Sequence, residues 1–71
     1  MALKLYIKKE YIKKYNENNE YKILDEECTW LRDDENQTLV SLHVDNKFFP
    51  YITRYIPNKY LMKDYKNTWQ S

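Results

Sequence analysis

Glycine does not occur in the 71 residues. Phosphate-cradling loops and dinucleotide fingerprints need glycine so that backbone can approach a ligand or adopt positive φ, so the sequence excludes both chemistries. Turns must instead rest on asparagine, aspartate and proline. These cluster at Asn16–Asn19, Asp33–Asn36, Asp45–Asn46 and Pro57–Asn58, which mark the expected element boundaries. Cys28 is the sole cysteine and His43 the sole histidine. No intrachain disulfide can form, and an intrachain zinc site lacks the ligands it needs, so no cofactor or metal is expected. The carboxylates at Asp25–Glu27 and Asp33–Glu35 lack the spacing and the glycine of an EF-hand loop and read as hydrated surface acids.

Long apolar runs are missing too. No stretch approaches the roughly 18 apolar residues of a membrane span, and the lysine-bearing N-terminus has no signal-peptide pattern, so a cytoplasmic location away from membranes is expected.

What remains is one small domain spanning residues 1–71. A chain of this length buries only about 60 to 65% of the surface its unfolded form exposes. Twelve aromatics, eight of them tyrosines, add burial in large units while keeping hydroxyls wet. With no disulfide to compensate a thin core, a symmetric homodimer is expected.

Periodicity gives an α+β fold. Leu3, Tyr6, Ile7, Tyr11 and Tyr15 fall on one side of a helical wheel, which favours an N-terminal helix over residues 3–15. The alternation Leu3, Leu5, Ile7 equally opens a short strand before it. A bent strand is expected in Tyr21–Arg32, with Cys28, Trp30 and Arg32 on one face and Thr29 and Leu31 on the other. After a polar loop at Asp33–Gln37, Thr38, Val40, Leu42 and Val44 alternate against Leu39, Ser41, His43 and Asp45 in the clearest strand. A third strand over Lys47–Ile56 carries Pro50, which places it at a sheet edge or a bulge. The economical topology is a three-stranded antiparallel meander closed by a short C-terminal helix or 3₁₀ segment from Pro57 through Lys66, with Trp69 beyond it. Arg54-Tyr-Ile-Pro-Asn-Lys-Tyr-Leu61 resembles the Ile-Pro-x-x-Tyr segment that closes SH3 domains, and that resemblance implies a small SH3-like barrel as the alternative arrangement.

Ser41, His43 and Asp45 carry the letters of a catalytic triad. On a strand, neighbours two residues apart stand roughly 6.5 to 7 Å apart with parallel side chains, so they do not converge as a triad requires. They read as a surface ladder, Cys28 as a small buried hydrophobe, and the chain as non-enzymatic.

The charge is sorted into blocks. Residues 1–15 carry a net +4, residues 16–35 a net −6 and residues 36–71 a net +3, within an overall +1. The middle block supplies Glu17, Glu20, Asp25, Glu26, Glu27, Asp33, Asp34 and Glu35. Placed on one face, these would form a row of negative charge resembling a phosphate track. Such a row suits a protein whose own groove is basic because it holds DNA, with Trp30, Phe48, Phe49 and Tyr51 as desolvated anchors. The alternative is a small nucleic-acid-binding protein using the basic N-terminal helix, where Lys4, Lys8, Lys9, Lys13 and Lys14 interleave with Tyr6, Tyr11 and Tyr15. Against it, ten of the twelve bases are lysine, only Arg32 and Arg54 offer bidentate base contacts, and the pI is near 7.8.

Asn, Lys, Tyr and Ile supply 30 of the 71 residues, as in an AT-rich genome. In this composition, small size and absence of glycine, the chain resembles the small proteins with which bacteriophages of low-GC Gram-positive hosts take over host machinery, inhibitors of the DNA sliding clamp among them. Gln37-Thr-Leu-Val-Ser-Leu42 is loosely similar to a clamp-binding peptide but lacks its terminal aromatic. The resemblance implies a DNA-mimicking inhibitor of replication acting in the bacterial cytoplasm.

Overall fold

The computed structural model describes residues 4–63. Within them an antiparallel five-stranded sheet and one helix follow the order β1 (Lys4–Ile7), α1 (Lys9–Asn18), β2 (Glu27–Asp34), β3 (Gln37–His43), β4 (Tyr51–Pro57), a 3₁₀ turn (Asn58–Tyr60) and β5 (Leu61–Lys63). The strands lie side by side as β4-β3-β2-β1-β5.

The α+β class holds, but the sheet has five strands rather than three. Residues 4–7 form a strand rather than the first helical turn, because Leu5 and Ile7 alternate into the core while β2 and β5 take up the backbone hydrogen bonds of β1 on either side. Of the helix or 3₁₀ segment expected after Pro57, the described residues show a single 3₁₀ turn at Asn58–Tyr60, and β5 follows it in place of a helix. Backbone at Leu61 to Lys63 finds partners on β1, a ladder that outcompetes a short helix with few residues to bury. Its last part, residues 64–66, and Trp69 lie outside the described residues.

α1 buries Tyr15 and half-buries Tyr11 and Ile12. The asparagine cluster ends it by chemistry as well as by conformation. Asn18 Nδ2 and Asn19 Nδ2 donate back to the carbonyls of Lys14 (2.7 Å) and Tyr15 (2.9 Å) in the last turn. Asn16 Oδ1 accepts from the Ile23 amide at 2.8 Å and so folds residues 19–23 back along the helix.

β3 is the centre of the core. Thr38, Val40, Leu42 and Val44 are buried while the intervening side chains are not, as the period of two requires. Leu5, Ile7, Tyr15, Ile23, Cys28 and Ile56 complete the cluster. Each buried aliphatic side chain contributes about 1.5 to 3 kcal/mol.

β2 carries a bulge. Trp30 faces Val40, but Arg32 rather than Leu31 faces Leu39, so one extra residue shifts the register. Arg32 therefore leaves the face it was expected to share with Cys28 and Trp30. It reaches the outer face, where Arg32 Nη2 donates to Tyr55 Oη. The polar loop is shorter than expected, since Asp33, Asp34 and Gln37 lie in strands and only Glu35 and Asn36 form the turn. Glu35 adopts φ 52°. β4 starts at Tyr51, after Pro50, whose carbonyl accepts from the Val44 amide at 2.8 Å.

Candidate partner-binding surface

β2 distributes the acidic residues to two places. Asp25, Glu26 and Glu27 sit at its start and Asp33, Asp34 and Glu35 at its end, a separation of about 20 Å along the strand. Glu17 lies in the last turns of α1 and Glu20 just beyond it, both exposed. The single row of charge expected from the sequence is thus divided, and each half has a different setting.

The first group meets the protein's own cations. Glu27 pairs with Lys4 at 3.8 Å, and Asp25 Oδ2 lies 2.8 Å from His43 Nδ1. Asp25 and Glu26 face Lys9 and Lys13 of α1 across a shallow groove over Ile12 and Ile23. The expected separation of the basic helix from the acidic middle block does not hold at this edge. The adjoining β3–β4 loop presents Phe48 and Phe49, 85% and 68% exposed, and Tyr51 at the start of β4, 65% exposed. The loop is ordered by Asn46, whose Oδ1 accepts from the amides of Phe48 (2.9 Å) and Phe49 (3.2 Å).

His43, Asp25 and Tyr51 line a cleft of about 350 Å³ with Ser41, Glu27 and Cys28. The imidazole stacks on the Tyr51 ring at 4.9 Å. The carboxylate beside His43 is Asp25, brought across by the Ile23–Val44 bridge, and not Asp45, which stays exposed. Among the described residues no hydrogen bond joins Ser41 Oγ to His43, so the histidine has an orienting carboxylate but no nucleophile attached. Burial, with Glu27 beside it, pushes the Cys28 thiol up to about 11, which keeps it protonated at neutral pH. Among the described residues no three His, Cys, Asp or Glu side chains converge as a metal site.

The second group has a different character. Asp33, Asp34 and Glu35 follow one another through the tip of the β2–β3 hairpin, all exposed. Asp33 Oδ1 accepts from Trp30 Nε1 at 2.9 Å, which fixes the half-open indole against the carboxylate, and Asp34 accepts from Gln37 Nε2 at 3.3 Å. Among the described residues no lysine, arginine or histidine lies within 4 Å of these three carboxylates. The tip is held from behind by Asn58, whose amide donates to Asn36 O at 2.8 Å and whose Nδ2 donates to Glu35 O at 3.4 Å. Trp30, Leu31 and the three acids thus form a rigid projection.

The helix lysines Lys9, Lys13 and Lys14 are exposed, but Tyr11 and Tyr15, expected as stacking rings beside them, pack inward against each other and Tyr60. Arg54 is spent over the Tyr15 ring at 5.0 Å from its centroid. Gln37–Leu42, the segment similar to a clamp-binding peptide, lies in the interior strand β3, with Val40 and Leu42 fully buried, so it is not presented as an extended ligand.

Comparison with protein-family models, with curated proteins and with solved structures gives no match in any of the three. Among the described residues no helix is long and apolar enough to cross a membrane.

Proposed function

We propose that this is a non-enzymatic binding module that engages a basic groove on a partner protein through the Asp33–Glu35 hairpin tip and the adjoining Trp30. The observation that carries the reading is the rigid presentation of three successive carboxylates beside an exposed indole, with no compensating cation within 4 Å among the described residues. Charge held in no ion pair steers a basic partner and fixes its register, even with Arg32 near Asp34 and Lys8 across a groove from Asp33 and Glu35, while a half-exposed tryptophan is the residue type that most often becomes a desolvated anchor. The Asp25–Glu27 group, with Phe48, Phe49 and Tyr51, forms a second acidic and aromatic contact, weaker in field because Lys4, Lys9 and Lys13 adjoin it.

The finer architecture we propose is a small SH3-like barrel with α1 inserted between β1 and β2. It is supported by the passage from β4 at one edge of the sheet to β5 at the other through only Asn58–Tyr60, directly after Ile56-Pro57. A partner that handles DNA has the complementary groove, and the sliding clamp is one such protein. A cytoplasmic phage product acting on a host would use the surface in this way.

The reading is tested by affinity capture from a bacterial lysate, treated with nuclease, at two salt concentrations. A protein captured after nuclease treatment at low salt, and lost when Asp33, Asp34 and Glu35 are all changed to lysine, is the expected result. Capture that depends on nucleic acid, or that survives the triple change undiminished, overturns it.

A further inference from the structure

β4 is the long edge of the sheet. Its seven residues pair with β3 in unbroken register from Gln37–Pro57 to His43–Tyr51, and among the described residues nothing pairs with its other side. Sheet edges of this length are ordinarily blunted by a bulge, a charged side chain, an internal proline or a covering segment. β4 has no bulge, its one charged side chain, Arg54, is held over the Tyr15 ring, and its prolines, Pro50 and Pro57, stand only at the two ends. The opposite edge, β5, is three residues long and needs no such protection.

The backbone groups that face outward follow from the ladder. Val44 N donates to Pro50 O, which makes residues 44 and 50 a hydrogen-bonded pair. Pairs of that kind alternate along an antiparallel ladder, so Ile52, Arg54 and Ile56 point their N–H and C=O groups at β3. Tyr51, Thr53 and Tyr55 therefore point theirs away from the sheet. Three amides in a row are left for a strand laid alongside.

We propose that a second copy of this chain supplies that strand, pairing β4 with β4 in antiparallel fashion about a two-fold axis through Thr53. In this register Thr53 faces Thr53 of the second copy, and Tyr51 faces Tyr55 of the second copy, with on the order of six new backbone hydrogen bonds. On the inner face Ile52 lies opposite Arg54. No charge opposes a like charge, whereas a two-fold through Arg54 would set the two guanidinium groups against each other. The outer face gains an uninterrupted row, from Arg32, Leu39 and Tyr55 of one copy to Tyr51 and His43 of the other, extending contacts already made between Arg32 and Tyr55 and between His43 and Tyr51. Cross-strand aromatic pairs of this kind stabilise a sheet. The prolines end the ladder before Phe48 and Phe49, so those rings stay outside the pairing, as does the hairpin tip on the far side of β3. The proposal is independent of what the acidic surface binds.

Sedimentation equilibrium reads the assembly directly, and a mass twice the 8.9 kDa of one chain at tens of micromolar is expected. Thr53→Pro removes an outward amide without touching the β3 ladder and should give a monomer with an unchanged circular dichroism spectrum. Cross-linking fixes the register even if that variant fails to fold. With oxidised glutathione accepting the two electrons, Thr53→Cys should form a disulfide between copies, because directly opposed Cα atoms lie about 5.5 Å apart. Tyr55→Cys should not, since its two copies are offset by about 13 Å along the strand. Buried Cys28 stays out of the exchange. A monomer at high concentration, a Thr53→Pro protein that still dimerises, or a cross-link through Tyr55→Cys in place of Thr53→Cys overturns the proposal.

Discussion

Thr38 Oγ1 donates to Asn58 Oδ1 at 2.6 Å, linking the start of β3 to the 3₁₀ turn that carries the chain to β5. Thr38 is the only buried polar side chain among the described residues, and its hydroxyl has no other side-chain partner there. Asn58 in turn donates to Asn36 O and Glu35 O, so one side chain and its own amide tie the β2–β3 hairpin to the β4–β5 connection. A buried hydroxyl stripped of its acceptor costs about 1 to 3 kcal/mol, more than the net worth of the bond. Asn58→Ala should therefore destabilise the fold by about 2 kcal/mol in urea unfolding. Thr38→Val should cost less, about 1 kcal/mol, because it leaves only a partly hydrated amide oxygen unpaired. Double-mutant coupling indistinguishable from zero would show that the two groups act separately.

The same tie explains how Glu35 tolerates φ 52°. A residue with a Cβ pays about 1 kcal/mol or more in the left-handed region, and glycine does not. Glu35→Gly should raise stability by about 1 kcal/mol, measured as a higher urea midpoint at unchanged m-value, while removing one of the three tip charges. Stability and partner capture should move in opposite directions. A Glu35→Gly protein less stable than its parent would mean that the side chain, not the backbone, governs this turn.

How much of this was legible depended on how local each feature is. β3 was readable because Thr38 to Val44 alternate without exception and lie in the middle of the sheet, where both neighbours enforce the period. Residues 3–7 satisfied a helical and a strand pattern at once, and only the distant partners Glu27–Thr29 of β2 and Leu61–Lys63 of β5 decide between them. That segment is too short to announce itself, and the Pro57-Asn58 signal for a helical start was spent on a single 3₁₀ turn. The bulge at Leu31 shifts Arg32 to the other face through pairing with Leu39, which no period within β2 reveals. The eight acids were visible as a block, but the division of six of them followed from the length of β2, which separates Asp25–Glu27 from Asp33–Glu35. The pairing of His43 with Asp25 spans 18 residues and depends on the Ile23–Val44 bridge.

Cys28 gives a pH prediction with a definite sign. Burial disfavours the thiolate, so the folded protein holds this proton up to about pH 11 while the unfolded chain releases it near 9. Tyr11 is shifted upward in the same sense by burial, against the opposing charge of Arg54. A group whose folded pKa is raised contributes stability that is intact below its unfolded pKa and lost as pH climbs through the folded one. Stability should accordingly fall between about pH 9 and 11, with each group adding at most about 1.4 kcal/mol per pH unit. Cys28→Ala should show a shallower decline, although lower stability overall. At pH 8 the native thiol should resist a disulfide-exchange reagent and react only on unfolding. Rapid stoichiometric labelling of the folded protein would contradict the burial of this side chain.

The hairpin tip gives a kinetic prediction separable from fold. Asp33, Asp34 and Glu35 are exposed, so changing all three to lysine reverses six units of charge without disturbing the core. Two consequences follow from screened Coulomb attraction. The association rate with the captured protein should drop by 10-fold or more at low ionic strength, and the steep loss of rate between 50 and 300 mM salt should disappear. Trp30→Ala should behave differently, because an anchor acts after encounter. Its effect should lie in the dissociation rate and be insensitive to salt. It must be read against Asp33→Asn, which weakens the acceptor for the indole N–H while keeping the ring. If the charge reversal raises the dissociation rate and leaves association alone, the tip contributes contact rather than steering, and the electrostatic part of the mechanism fails.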